Sequence, residues 1–107
     1  MQKLYLVTRA DLSPGQQAVQ AAHAMRQFKH EHPEIEQTWF ETSNTLAFLA
    51  IEDEPALERL LERARWRGVA VAGFREPDRH NELTAIAIGP KGKGLCQGLA
   101  LALQHVA

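Results

Sequence analysis

Cysteine is nearly absent: Cys96 stands alone among 107 residues. That excludes an intrachain disulfide and the cysteine-rich zinc sites, and it suits a reducing cytoplasm. Long apolar runs are missing too, since none nears the roughly 20 residues that span a bilayer. Met1-Gln2-Lys3 leads straight into a strand-like run, without the apolar stretch and cleavage site of a signal peptide. A basic surplus is also lacking. Twelve Lys and Arg face thirteen Asp and Glu, for a net charge of −1, whereas a protein that coats long nucleic acid carries a strong positive excess. No DNA partner and no membrane is expected, and any RNA contact must use a local patch. What is present, 45% apolar and 23% charged residues, suits one globular domain over residues 1–107.

The stretch from Leu4 to Ala24 organises the rest. Lys3 to Arg9 reads as a strand buried on both faces, because Leu4, Tyr5, Leu6 and Val7 are consecutive and apolar. Asp11 to Gly15 is a turn. Ser13 is an N-cap candidate, Pro14 takes the first helical position, and Gln16 completes the Gln form of a capping box. The helix from Pro14 to about His30 gathers Ala18, Ala21, Ala22, Met25 and Phe28 on one side at ~100° per residue. Gln16, Gln20, His23 and Gln27 fall opposite. Pro33 ends it.

Pro33 to Ser43 reads as a short helix with Ile35, Trp39 and Phe40 apolar, and Thr45 to Glu52 as a second strand. Asp53 caps the next helix and Pro55 opens it. Leu57, Leu60, Leu61 and Ala64 form its inner stripe, with Gly68 at the C-cap. Val69 to Arg75 and Leu83 to Gly89 are the third and fourth strands. The seven residues from Glu76 to Glu82 are too few for a parallel crossover, so these two strands are antiparallel. Leu95 to Val106 is expected to be a last helix, weakened by Gly98.

The result is an α/β fold of order βα(α)βαββα, with a four-stranded mixed sheet and helices on both faces. Its topology collects Arg9, Asp11, Gln16, Arg75, Glu76, Asp78, His80 and Thr84 along one sheet edge. Ligands of open α/β sheets bind beyond the carboxyl ends of strands, where the Asp11–Gly15 turn sits.

Asp11-Leu12, Gly15, Gln20, His23-Ala24 and the distant Ile86-Ala87-Ile88-Gly89-Pro90 together resemble the archaeal- and eukaryote-type peptidyl-tRNA hydrolases. The resemblance covers roughly Leu4 to Pro90. It implies a three-layer α/β/α fold, often dimeric, that hydrolyses the ester between a peptide and the terminal ribose of tRNA without a cofactor. Gln20, His23 and Thr84 match family positions. The turn departs from the pattern: it is two residues shorter, and Gln16 stands where the family keeps an activity-linked lysine. Glu76 occupies the register of a functional aspartate.

Ester hydrolysis needs an activated water, donors for the tetrahedral oxyanion and a grip on phosphate or ribose. His23, Glu76, Asp78 and Thr84 are the catalytic candidates, His23 as general base and Glu76 or Asp78 to orient it or polarise water. His80 is a further candidate base. Arg9, Asp11, Gln16, Gln20 and Arg75 are the substrate-binding candidates, and Arg79 is another guanidinium that matches phosphate. The alternative function is a non-catalytic tRNA-binding or regulatory protein that kept the scaffold. No metal site is expected. His30-Glu31-His32 reads as a helix end suited to the dipole, and Lys91-Gly-Lys93-Gly lacks the P-loop pattern. Arg59, Arg63 and Arg67 form a basic ridge flanked by Glu58 and Glu62, which reads as a solvated helix face. Cys96, in an apolar stretch, reads as packed rather than reactive.

Overall fold

The computed structural model describes residues 2–104. β1 (Lys3–Arg9) enters α1 (Pro14–Glu31), followed by α2 (Pro33–Thr42), β2 (Thr45–Ile51), α3 (Glu54–Trp66), β3 (Val71–Glu76) and β4 (Glu82–Ile88). A short α4 (Lys93–Cys96) and a two-residue β5 (Ala100–Leu101) complete the described chain. The caps form as the residues dictate. Ser13 Oγ accepts the Gln16 N–H at 3.3 Å, and Asp53 Oδ1 accepts that of Ala56 at 3.0 Å.

The sheet runs β3-β4-β1-β2-β5. β1 and β2 are parallel, and β4 is antiparallel to both β1 and β3, as the short link after Glu76 requires. The sheet has five strands, not the expected four. Gly98 at φ +82° turns the chain back, so Leu101 and Ala100 pair with Leu49 and Ala50 of β2. The expected helix from Leu95 to Val106 is therefore replaced by one helical turn and an edge strand, its last residues lying outside those described. Leu99 to Leu103 alternates Leu and Ala, a period of two that a strand satisfies and an amphipathic helix does not.

The two faces are covered differently. α3 and α4 close one face over Tyr5, Val7, Leu49, Leu83, Ile86 and Ile88, with Leu57, Leu60 and Leu61 supplied by α3. α1 and α2 close the other over Leu4, Leu6, Ala85 and Ala87, with Ala21, Ala24, Phe28 and Trp39. On α1 the buried stripe is Gln17, Gln20, Ala21, Ala24 and Phe28, whereas Ala18 and Ala22 face outward. The helix is thus turned by most of one residue from the orientation its alanines suggest, and two glutamines lie inside.

Candidate active site

A break in the β3–β4 ladder defines the site. Phe74 pairs with Ala85 and Arg75 with Leu83, so Thr84 is left over as a bulge. A bulge places successive side chains on one side and re-aims them. Leu83 packs on the α3 face and Ala85 on the α1 face, two residues apart yet on opposite sides. Thr84 turns towards α1, where its buried hydroxyl donates to Gln20 Oε1 at 2.7 Å.

The backbone of the bulge is held on every side. Thr8 Oγ1 donates to the Thr84 carbonyl at 2.9 Å, and Arg9 Nη1 to the Leu83 carbonyl at 3.2 Å. Glu54 Oε2, at the amino end of α3, accepts the Leu83 N–H at 2.7 Å. Gln17 ties α1 down in turn: its amide donates to the Leu12 carbonyl at 2.9 Å and accepts the Leu103 N–H at 3.0 Å. Each of these buried polar groups therefore has a partner, as burial demands.

His23 lies one helical turn beyond Gln20, on the exposed margin of α1. Its ring stacks on Phe74, with centroids 4.4 Å apart and planes within 9°. The Phe74 carbonyl lies 3.4 Å from the Thr84 hydroxyl. Gln20, His23, Phe74 and Thr84 thus close a ring of neighbours between α1 and the bulge. A shallow hollow of about 270 Å³ opens there, lined by His23, Arg26, Gln27, His30 and Phe74.

The other expected residues divide. Arg9 is buried and spends its guanidinium on Asp11, at 3.0 and 2.9 Å, and on Glu82 at 2.8 Å. These bonds raise its pKa and hold both carboxyls below their usual range. Asp11 remains half-exposed at the turn. Gln16 is exposed at the start of α1, a helix with no acidic residue in its first turn, so its positive dipole end stays uncompensated. Arg75 leaves the group: it makes a bidentate pair with Glu58 of α3 at 2.8 and 2.9 Å. Asp78 is exposed on the Pro77–Arg79 turn, Glu76 is half-buried, and His80 is exposed with left-handed backbone at φ 55°. Arg79 Nε is buried at 3.4 Å from Glu82 Oε1, within ion-pair range but without a hydrogen bond.

Sequence reasoning missed Glu82, Phe74 and Thr8. The register carried a signal for the first, because Glu76 lies directly opposite Glu82. Two facing carboxylates need cations between or beside them, and Arg9 and Arg79 supply them. Among the described residues, no group of three or more His, Cys, Asp or Glu could hold a metal. His32 Nε2 instead lies 3.1 Å from the Val71 carbonyl. Among the same residues, no helix is long and apolar enough to cross a membrane.

A family profile described as Peptidyl-tRNA hydrolase PTH2 matches residues 2–106. The chain belongs to that family. Among curated proteins none matches it. Membership makes this a peptidyl-tRNA hydrolase-like domain, with peptidyl-tRNA as the substrate that the family implies. The matched span includes β1, the turn after it and α1, the bulge at Thr84 and the closing Gly89-Pro90.

Proposed function

We propose that the chain hydrolyses the ester of peptidyl-tRNA at the edge formed by the start of α1 and the β3–β4 bulge. The supporting observation is the ring of Gln20, His23, Phe74 and Thr84, which fixes an exposed imidazole beside a buried hydroxyl hydrogen-bonded to a buried amide. His23 takes the proton from water, since imidazole is the side chain suited to proton transfer near neutral pH. Phe74 holds its plane. Thr84 and Gln20 position the helix and bulge, while Glu76 and Asp78 polarise the water from the β3–β4 turn. The Gly15 N–H and the Gln16 amide at the helix start face the developing oxyanion, the task for which a helix amino end is suited. Arg9 orients Asp11 rather than meeting phosphate, because its donors are spent. Among the described residues, Arg79 meets Glu82 through Nε and forms no hydrogen bond through its terminal nitrogens, and it is the cation assigned to the substrate's phosphate.

Peptide release from a model peptidyl-tRNA tests this directly. His23→Ala is expected to lose about 10²–10⁴ of kcat, the usual worth of a positioned base. Glu76→Ala should fall measurably below wild type. No turnover at micromolar wild-type protein would sink the hydrolase reading, and equal rates in both variants would sink the residue assignment alone. Gln16, in place of the family's lysine, favours a second reading, a tRNA-binding or regulatory protein without turnover. That reading requires salt-sensitive tRNA binding with no release.

The same proposal includes the cytoplasm, where the substrate is made, and a pair of copies. Phe40 on α2 and Leu46 on β2 are 54% and 47% exposed, apolar area that a second copy would bury. Sedimentation at micromolar concentration should return a dimer, and a monomer there would remove that part.

A further inference from the structure

The basic ridge on α3 is exposed, as a solvated helix face is, and the acids beside it are paired with other arginines. Glu58 is occupied by Arg75 at 2.8 Å, and Glu62 is bonded to Arg65 at 3.3 Å. Both acids lean to the β3 side of the helix. Arg59, Arg63 and Arg67 follow each other at four-residue spacing along the other flank, exposed and with no ion pair among the described residues. At their end stands Trp66, 91% exposed, the most exposed of the large apolar side chains. Indole is rarely left in water without use. Its exposed neighbours on the helix are Arg59, Glu62, Arg63 and Arg67 rather than the apolar ring that surrounds a protein-docking anchor.

Two lysines extend the ridge. A Cβ at Gly92 would clash with Ile88 and crowd Val69, so Gly92 packs close to the chain just after α3 while Lys91 and Lys93 on either side stay exposed. Lys91 and Arg65 line one hollow there, together with Glu34 of α2. From Leu83 to Ala107 the sequence holds no Asp or Glu to offset them. Among the described residues, Arg59, Arg63, Arg67, Lys91 and Lys93 are exposed and form no ion pair, in a chain of net charge −1.

We propose that this flank, with Arg59, Arg63, Arg67, Lys91 and Lys93 on phosphates and Trp66 stacked on an unpaired base, is a second RNA-binding surface for the tRNA. It rests on the peptidyl-tRNA reading above and adds a grip away from the ester. The amino end of α3 touches the bulge through Glu54 and Leu83. Trp66 lies twelve residues further, about 18 Å along the helix. A substrate whose ester sits at the edge therefore meets the ridge as its body extends over α3. Base stacking on an aromatic face with cations alongside is the common mode for unpaired RNA. Two contacts on one molecule raise the effective concentration of each.

The test uses the full chain and deacylated tRNA, with binding measured across a salt series and Trp emission followed. Trp39 is buried and serves as the constant background. Trp66 emission should be quenched by tRNA. Trp66→Ala should weaken binding roughly 5- to 100-fold, and Trp66→Phe should recover most of that. The triple variant Arg59→Gln, Arg63→Gln, Arg67→Gln should reduce the salt slope by about two, whereas Lys3→Gln with Lys29→Gln should leave it unchanged. Wild-type affinity, slope and quenching in the α3 variants would overturn the surface while peptide release stays intact. A Trp66→Ala effect confined to self-association would overturn it in favour of a protein contact. A wild type that neither binds tRNA nor releases peptide overturns this proposal and the hydrolase reading together.

Discussion

The two faces of the sheet differ in the side chains they bury. Under α3, Leu57, Leu60 and Leu61 pack against Val7, Leu83, Ile86 and Ile88, large branched side chains, with Tyr5 and Cys96 in the same core. Under α1, Leu4, Leu6, Phe28 and Trp39 are joined by alanines, Ala21 and Ala24 against Ala85 and Ala87, with Gln17, Gln20 and Thr84 buried beside them. Large side chains supply stability through area removed from water. Small ones let a helix approach closely enough for buried side chains to bond across the interface. Both faces bury large apolar side chains, and the buried side-chain bonds of Gln17, Gln20 and Thr84 lie on the α1 face.

The largest effect that would sharpen this contrast comes from the α3 face. Leu57→Ala should cost about 2–5 kcal/mol in urea unfolding, because its fully buried side chain would leave a cavity. The folded fraction should keep its rate of peptide release. A selective loss of rate at full folding would show that the α3 face tunes the site, and the contrast would fail.

On the other face the effect is smaller but coupled. Gln20→Leu removes the acceptor of the Thr84 hydroxyl and should cost about 1–3 kcal/mol, the penalty for a buried polar group without its partner. Thr84→Val alone strands the Gln20 amide. The double variant should be less destabilised than the sum of the two, by about 0.5–3 kcal/mol of coupling. Strict additivity would mean that the 2.7 Å bond does not tie α1 to the bulge.

These buried glutamines also mark what could be read from the chain and what could not. Ser13, Pro14, Asp53 and Pro55 act within their own turns, so helix starts were legible. The length of the Glu76–Glu82 link similarly settled the antiparallel pairing. The inner face of α1 was not legible, because periodicity scores glutamine as outward. Whether Gln17 and Gln20 can be buried depends on Leu12, Thr84 and Leu103 meeting them from elsewhere in the chain. The bulge escaped notice for the same reason. It exists only between two strands, and with it went the place of Glu82 at the site. Of the residues that the topology collected along one edge, the side chain of Arg9 does meet the bulge, at the Leu83 carbonyl, and holds Asp11. That of Arg75 does not, since a residue's place at an edge does not choose between Glu58 and the turn as its partner.

The smallest expected effect separates the two arginine clusters by pH. Asp11 and Glu82 are held below the usual carboxylate range, chiefly by hydrogen bonds from Arg9, and Glu58 likewise by Arg75. A carboxylate with a depressed folded pKa contributes stability that is fully present above its unfolded pKa, near 4. The contribution is lost as pH falls through the lower, folded value. Stability should therefore be level from pH 7 to about 5 in this respect and decline below it. Arg9→Met should flatten that acid decline and, because it also frees the Leu83 carbonyl and the Asp11 turn, lower peptide release at pH 7. Arg75→Met should flatten part of the decline while leaving release unchanged, since its bond to Glu58 runs to the α3 flank. Unfolding midpoints measured between pH 3 and pH 7 distinguish the two. If Arg75→Met slowed release as much as Arg9→Met, the site would extend onto the α3 face, and the contrast between the two faces would have to be redrawn at β3.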